Sequence, residues 1–174
     1  AKTRTIGDFE VLAGGTVHRT PGVRFDLGGV GKGWIADRAA SLLARLLDRA
    51  VEHGEIPSWS RLFVDADGDI AVANRDGRAT EVLVGSADAP LGSLQIGGPS
   101  AGVATSGTGV HRWGERHHLI DPRIGLPSRS GVAQATVVAP SARAAEAWAK
   151  AIVVGGTATI DAAERDGASM IVAL

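Results

Sequence analysis

The sequence predicts an α+β fold in which two main helices pack on a mostly antiparallel sheet. Three observations carry this expectation. Two well-separated stretches, 32–53 and 142–154, repeat apolar residues at helical spacing. Short β-like runs, punctuated by Gly, Asp and Pro, fill the interval between them. These runs follow one another instead of alternating with helices, which argues against a regular parallel βαβ sheet. With 174 residues, 44% of them hydrophobic and 21% charged, residues 1–174 read as one domain with a core of ordinary size.

The elements follow in order. Residues 1–30 are rich in glycine and read as short strands and turns. In the stretch 32–53, Ile35, Ala39, Leu42, Leu43, Leu46 and Ala50 form an apolar face, while Arg38, Arg45, Arg49 and Glu52 share another. Gly54 and Pro57 end it. Runs at 61–65 and 69–73 flank Asp67-Gly68-Asp69, a hairpin signal. Further strands are expected at 81–85, 91–96, 102–105, 116–120 and 132–139. Ser141, after Pro140, is the expected N-cap of the 142–154 helix, and Gly155-Gly156 its stop. A short helix at 159–165 and a strand at 169–173 complete the chain.

Composition narrows the function. The net charge is -1, from 18 basic and 19 acidic side chains, so no electrostatic footprint for nucleic acid or an anionic membrane is present. The absence of cysteine excludes disulfides, thiolate-bound metals and cysteine nucleophiles, without fixing a compartment. No apolar run reaches the roughly 18 residues of a membrane span. Residues 1–12 lack the charged start and apolar stretch of a signal peptide.

Three stretches are candidates to carry chemistry. Asp26-Leu-Gly-Gly-Val-Gly-Lys-Gly-Trp-Ile-Ala-Asp37 places glycines before a helix, where backbone N–H groups and the positive dipole end suit an anion. It satisfies neither nucleotide-loop pattern: Asp26 and Gly33 stand where a P-loop needs Gly and Ser/Thr, and Trp34 where GxGxxG needs its last glycine. A tight strand-to-helix turn is the plain alternative. The second stretch runs from Ala104-Thr-Ser-Gly107 to His117-His-Leu-Ile-Asp-Pro-Arg-Ile-Gly125. Ser106 lacks the glycines of a nucleophile elbow, and adjacent strand histidines point to opposite faces, so only one of His117 and His118 can serve a given site. Two exposed strand histidines are the plain reading, and Asp121-Pro122 begins a good turn. The third stretch is the 142–154 helix, whose charged residues Arg143, Glu146 and Lys150 form one stripe. Glu146 and Lys150 are an i,i+4 pair in the favourable order, facing either solvent or a site.

Taken in this order the stretches resemble the ApbE-type flavin transferases, the FAD:protein FMN transferases. That family shows D-L-G-G-x-A-K-G-x-x-x-D, a G-G-D turn, T-S-G, H-I-I-D-P-x-T-G-x-P, V-x-A-P and a helix reading A-D-x-x-x-T. The corresponding segments are Asp26 to Asp37, Asp67-Gly-Asp69, Thr105-Ser-Gly107, His118 to Pro127, Val138-Ala-Pro140 and Ala145 to Lys150. The resemblance covers about residues 24–174 and implies an α+β, ApbE-like fold.

It also implies an activity. FAD is the substrate, a Thr or Ser hydroxyl of an acceptor flavoprotein attacks the phosphate nearer the flavin, FMN becomes attached and AMP leaves, with Mg2+ (magnesium) assisting. Asp26, Lys32, Thr105, Ser106, Gly107 and His117 fall on the cofactor side. His118 and Asp121 fall at the chemistry, and Gly29, Glu146 and Lys150 at the metal positions. Lys150 replaces a threonine there, and an ammonium offers a metal no lone pair, so poor magnesium binding is expected. Members usually carry a longer N-terminal part, often with a lipoprotein signal, so this chain is expected to be short at that end and to bind flavin weakly alone. A cleft shared by 26–33, 105–107 and the start of the 142–154 helix is expected. A non-catalytic flavin- or nucleotide-binding relative, an FAD diphosphate hydrolase and a subunit completed by another chain remain open.

Overall fold

The computed structural model describes residues 9–22, 25–86 and 89–173. In chain order its elements are β1 (Phe9–Val11), β2 (Val17–Arg19), α1 (Gly31–Glu52), β3 (Arg61–Asp65), β4 (Asp69–Asn74), β5 (Thr80–Ser86), β6 (Ala89–Ile96) and β7 (Ser100–Gly107). Then come β8 (Arg112–Trp113), β9 (Arg116–His117), β10 (Ile120–Asp121), β11 (Leu126–Pro127), β12 (Gln134–Ala139), α2 (Ala142–Gly155), α3 (Ile160–Arg165) and β13 (Met170–Ala173). The strands and turns expected in 1–30 appear as the β1–β2 pair, while residues 1–8 and 23–24 lie outside the described residues.

The centre is a five-stranded sheet in the order β13-β12-β7-β4-β3, antiparallel throughout. Its alternation sorts side chains into two cores. Val103 and Val138 face the β5–β6 hairpin, where they meet Val72, Val82 and Ile96. Ala104 and Val137 face α2 and pack with Ala145, Ala149, Ile152 and Val153. Helices thus cover one face and a hairpin the other, which is the α+β arrangement expected. Ser141 Oγ accepts from the Ala144 N–H as the N-cap of α2, and Gly156, at φ 81°, ends the helix. Asp67 and Gly68, with φ 58° and 85°, make the two-residue turn of a twisted hairpin between β3 and β4.

Two expectations need correction. The buried face of α1 is Gly33, Ala36 and Ala40, packed with Ala71 and Ala142. Ile35, Leu42, Leu43 and Leu46, expected in the core, are exposed. The reason is close approach: a Cβ on Gly33 would lie 2.5 Å from the Ala142 carbonyl oxygen, so only small side chains fit between α1 and its neighbours. The single strand expected at 116–120 is broken into β9 and β10. The Leu119 N–H donates to His117 Nδ1, a local side-chain bond that takes the place of a ladder bond. No helix among the described residues is long and apolar enough to cross a membrane.

Candidate active site

The site grows from the joint between α1 and α2, in which each helix caps the other. The Gly33 N–H, in the first turn of α1, donates to Glu146 Oε2 of α2 at 2.8 Å. In return, Asp37 of α1 accepts from the Ala142 and Arg143 N–H groups of α2 at 2.8 and 3.0 Å. Carboxylates satisfy otherwise unpaired N–H donors at both positive helix ends. Asp37 stands four residues after Gly33, hence on the same side of α1. A Cβ on Gly102 of β7 would collide with the backbone of Ser141 and Ala142, so the start of α2 also rests directly on the sheet.

Four charged side chains gather beside this joint. Glu146 is fully buried, and Lys150 Nζ donates to its Oε1 at 2.8 Å. Lys32 Nζ donates to the Asp67 carbonyl at 2.8 Å and lies 3.4 Å from Asp69 Oδ2. Register places Asp69 here: it pairs with Ala104, which pairs with Val137, and both of those face α2. Asp69 Oδ2 is buried without a hydrogen bond. Burial pushes the Asp69 carboxyl up to about 6; Glu146 adds to the rise, whereas Lys32 and Lys150 oppose it. A Cβ on Gly29 would sit 3.7 Å from Lys150 Cδ, so the 26–33 loop closes over the lysine stem.

The remaining expected residues divide. Asp26 Oδ1 accepts from the Gly28 N–H and shapes its own loop. Along β7, Ser106 shares the α2 side with Ala104, whereas Thr105 lies on the other face, its hydroxyl 2.9 Å from that of Thr136. Gly107 pairs with Gln134 at the strand end. His117 is buried with both ring nitrogens engaged: Nδ1 accepts from the Leu119 N–H and Nε2 is 3.0 Å from the Ser128 carbonyl. His118 turns the other way, exposed, edge-on to His111 with ring centroids 5.1 Å apart. Partial desolvation, then the neighbouring His111, holds its pKa below the ordinary imidazole value, and Lys150 adds to the effect. Asp121 accepts from the Arg123 N–H and guanidinium, with a closest contact of 2.7 Å, and its carboxyl is held below the usual carboxylate range by those bonds.

Sequence reasoning missed Asp69 and the structural duty of Gly33 and Asp37. The four-residue spacing of Gly33 and Asp37 was a readable signal; Asp69 became visible only through strand register. A cavity of about 780 Å³ lies elsewhere, lined by Trp113, Ile120, Ile124 and Leu126 together with His117. The hydrogen bonds of His117 leave its ring no nitrogen for chemistry there, so the charged cluster is the better candidate.

The donors at that cluster do not suit magnesium, which takes oxygen ligands in near-octahedral geometry. Both Glu146 oxygens already accept, one from Gly33 and one from Lys150. The free Asp69 oxygen has the Lys32 ammonium beside it. A divalent ion about 4 Å from either ammonium would meet a repulsion of about 8 kcal/mol at an effective dielectric of about 20.

The profile of the ApbE family matches residues 4–172. A Klebsiella pneumoniae protein named FAD:protein FMN transferase is 30% identical over 133 residues, which cover 74% of this chain and 38% of that protein. A Treponema pallidum protein of the same name is 32% identical over 153 residues, 78% of this chain and 39% of that one. The chain therefore spans 38–39% of the length of these curated relatives. Among solved structures, the ApbE protein of Thermotoga maritima superposes with a TM-score of 0.71 at 25% identity, covering 99% of this chain and 55% of its own. The flavin transferase ApbE of Vibrio cholerae shares the fold, with a TM-score of 0.67 at 23% identity over 98% of this chain and 57% of its own. Agreement in sequence and in fold extends over nearly the whole described length, and the chain belongs to the ApbE family.

Proposed function

We propose that this chain carries FMN-transfer chemistry: FMN passes from FAD to a Thr or Ser hydroxyl of an acceptor flavoprotein, and AMP is released. The observation supporting this reading is the meeting, at one joint, of the 26–37 stretch, Asp69 and the Glu146–Lys150 pair, which lie far apart in sequence. The acceptor hydroxyl oxygen forms a bond to the phosphorus nearer the flavin. The bond from that phosphorus to the bridging oxygen breaks, and its electron pair leaves with AMP. The hydroxyl proton passes to a base, a role that suits His118, an exposed imidazole whose pKa is held below its ordinary value by partial desolvation and His111.

Such a step depends on positioning and on cations at the diphosphate oxygens. Lys32 and Lys150 supply positive charge within this chain. Magnesium, implied by the family resemblance, would polarise the diphosphate where it binds, but no step here is assigned to it. Asp26 and Gly29 shape the loop over Lys150, and Ser106 shares the α2 side of β7. Asp121 orders the turn after His118, and His117 anchors the same segment from inside. Gly107 extends β7 past Ser106, whereas Thr105, on the opposite face of the strand, is engaged by Thr136 and does not join this cluster.

The deciding experiment incubates the chain with FAD and a Thr-containing acceptor protein, then follows covalent flavin fluorescence on the denatured acceptor and the release of AMP. Equal amounts of attached flavin and AMP are expected. FMN and AMP released without attachment would identify a diphosphate hydrolase, and bound but intact FAD a non-catalytic relative.

A further inference from the structure

We propose that Lys150 and Lys32 are the permanent cation of this site, so that the chain holds the diphosphate of a flavin dinucleotide without a divalent metal. The inference rests on the flavin-nucleotide reading above and specifies how its anion is held.

Each ammonium lies beside a buried carboxylate: Lys150 is hydrogen-bonded to Glu146, and Lys32, held by the Asp67 carbonyl, stands 3.4 Å from Asp69. Glu146 is 0% exposed and Lys150 21%, so the carboxylate lies beneath while part of the lysine reaches the surface. The hydrogen bond to Glu146 uses one of the three Nζ–H donors of Lys150. Lys32, 45% exposed, stands over Asp69, which is 1% exposed. The second, independent observation is Asp69 Oδ2 itself. It is a buried carboxylate oxygen with no hydrogen bond, for which Lys32 is the neighbouring cation. Removing a partner from a buried charge is costly, so these lysines belong to the site whether or not ligand is present. The four groups form one electrostatic cluster, since Asp69 responds to Lys32, Glu146 and Lys150 together. Because the lysines occupy the positions from which those oxygens could bind a metal, a divalent ion has no vacant pair of carboxylates to use. A diphosphate instead meets Nζ–H donors beside the first turn of α1, an end that favours negative charge.

The test uses three probes: FAD, inorganic pyrophosphate, and Mn2+ alone. FAD and pyrophosphate affinities are measured by calorimetry in EDTA and in excess magnesium, and should agree within about twofold. The double variant Glu146→Gln with Lys150→Met keeps an acceptor for the Gly33 N–H and leaves no unpaired charge. It should weaken both ligands at least about tenfold in EDTA. Lys32→Met combined with Asp69→Asn, which leaves no buried charge unpaired, should weaken them about threefold or more without loss of folding. Pyrophosphate held by the lysines with no FAD binding would leave a metal-free diphosphate site standing but overturn its assignment to a flavin dinucleotide, and the flavin reading with it. FAD binding that requires magnesium, or saturable Mn2+ binding by the unmodified chain, would overturn the inference and leave the flavin reading standing. Binding of neither anion would overturn both.

Discussion

The joint between α1 and α2 and the segment from β8 to β11 both carry residues that resemble family motifs, yet they are built differently. At the joint, hydrogen bonds span more than a hundred residues: Gly33 to Glu146, and Ala142 and Arg143 to Asp37. Between β8 and β11 the polar side chains mostly satisfy their immediate neighbours: Asp121 holds Arg123, and His117 accepts from the Leu119 N–H. Residues of the first kind tie elements together and leave a fixed charge cluster behind. Those of the second kind shape a loop and release one side chain, His118, toward solvent. A motif residue therefore has to be assigned a duty from its partners, because its letter alone does not separate a joint from a ligand.

The strongest way to break this comparison is to add one methyl group at the joint and one in the loop that leads into β8. Gly33→Ala puts a Cβ 2.5 Å from the Ala142 carbonyl, where only backbone could yield. Alanine gains about 1 kcal/mol of helix propensity over glycine, but the overlap should outweigh it and leave a net loss of about 3 kcal/mol. That corresponds to a fall in melting temperature of about 6–12 °C. Gly109→Ala, in the loop before β8, meets nothing within 4 Å and should change stability by less than about 0.5 kcal/mol. Thermal melts of the two variants decide the matter: equal losses would remove the distinction between joint and loop.

The adjacent histidines sharpen it. His117→Ala should cost about 2 kcal/mol, because the buried ring is lost and the Ser128 carbonyl loses its partner. His118→Ala should leave the melt within about 0.5 kcal/mol of the parent, since the residue is exposed. Flavin attachment should nonetheless fall about 10²–10⁴-fold if His118 is the base. A His118 variant with undiminished transfer would return both histidines to loop structure.

What was legible in the sequence follows the same division. Helical periodicity, the Ser141 cap and the Asp67-Gly68 turn are local, and they placed α1, α2 and the β3–β4 hairpin within a residue or two. Which side of α1 is buried was not legible, because the leucines outweigh Gly33, Ala36 and Ala40 in any hydrophobic pattern although the packing selects the small residues. Glu146 and Lys150 were readable as a helix pair, but their burial depends on α1 and the sheet. Asp69 looked like part of a turn, and it gained its position only when β4 paired with β7.

The smallest effect separates Asp69 from an ordinary turn residue by its titration. Burial raises its carboxyl from 3.8 to about 6, so the folded chain holds that proton over a range in which the unfolded chain has released it. The raised value means that the contribution is fully present below the unfolded pKa and is lost as pH rises through the folded one. Stability should therefore decline from about pH 4 to about pH 6 on this group's account. Each tenfold gain in proton affinity on folding is worth about 1.4 kcal/mol, which sets a ceiling of about 3 kcal/mol. Lys32 is half-exposed and rests at 3.4 Å, longer than a good charged hydrogen bond, so it has room to close on the ionised carboxylate. That response should keep the tilt below this ceiling. Asp69→Asn removes the titrating group, so urea midpoints of variant and parent, compared at several pH values, should shift in favour of the variant as pH rises across that window. A constant difference between pH 4 and 6 would mean that Asp69 titrates as a solvated turn carboxylate, and that the charge cluster at the joint consists of Glu146 and Lys150 alone.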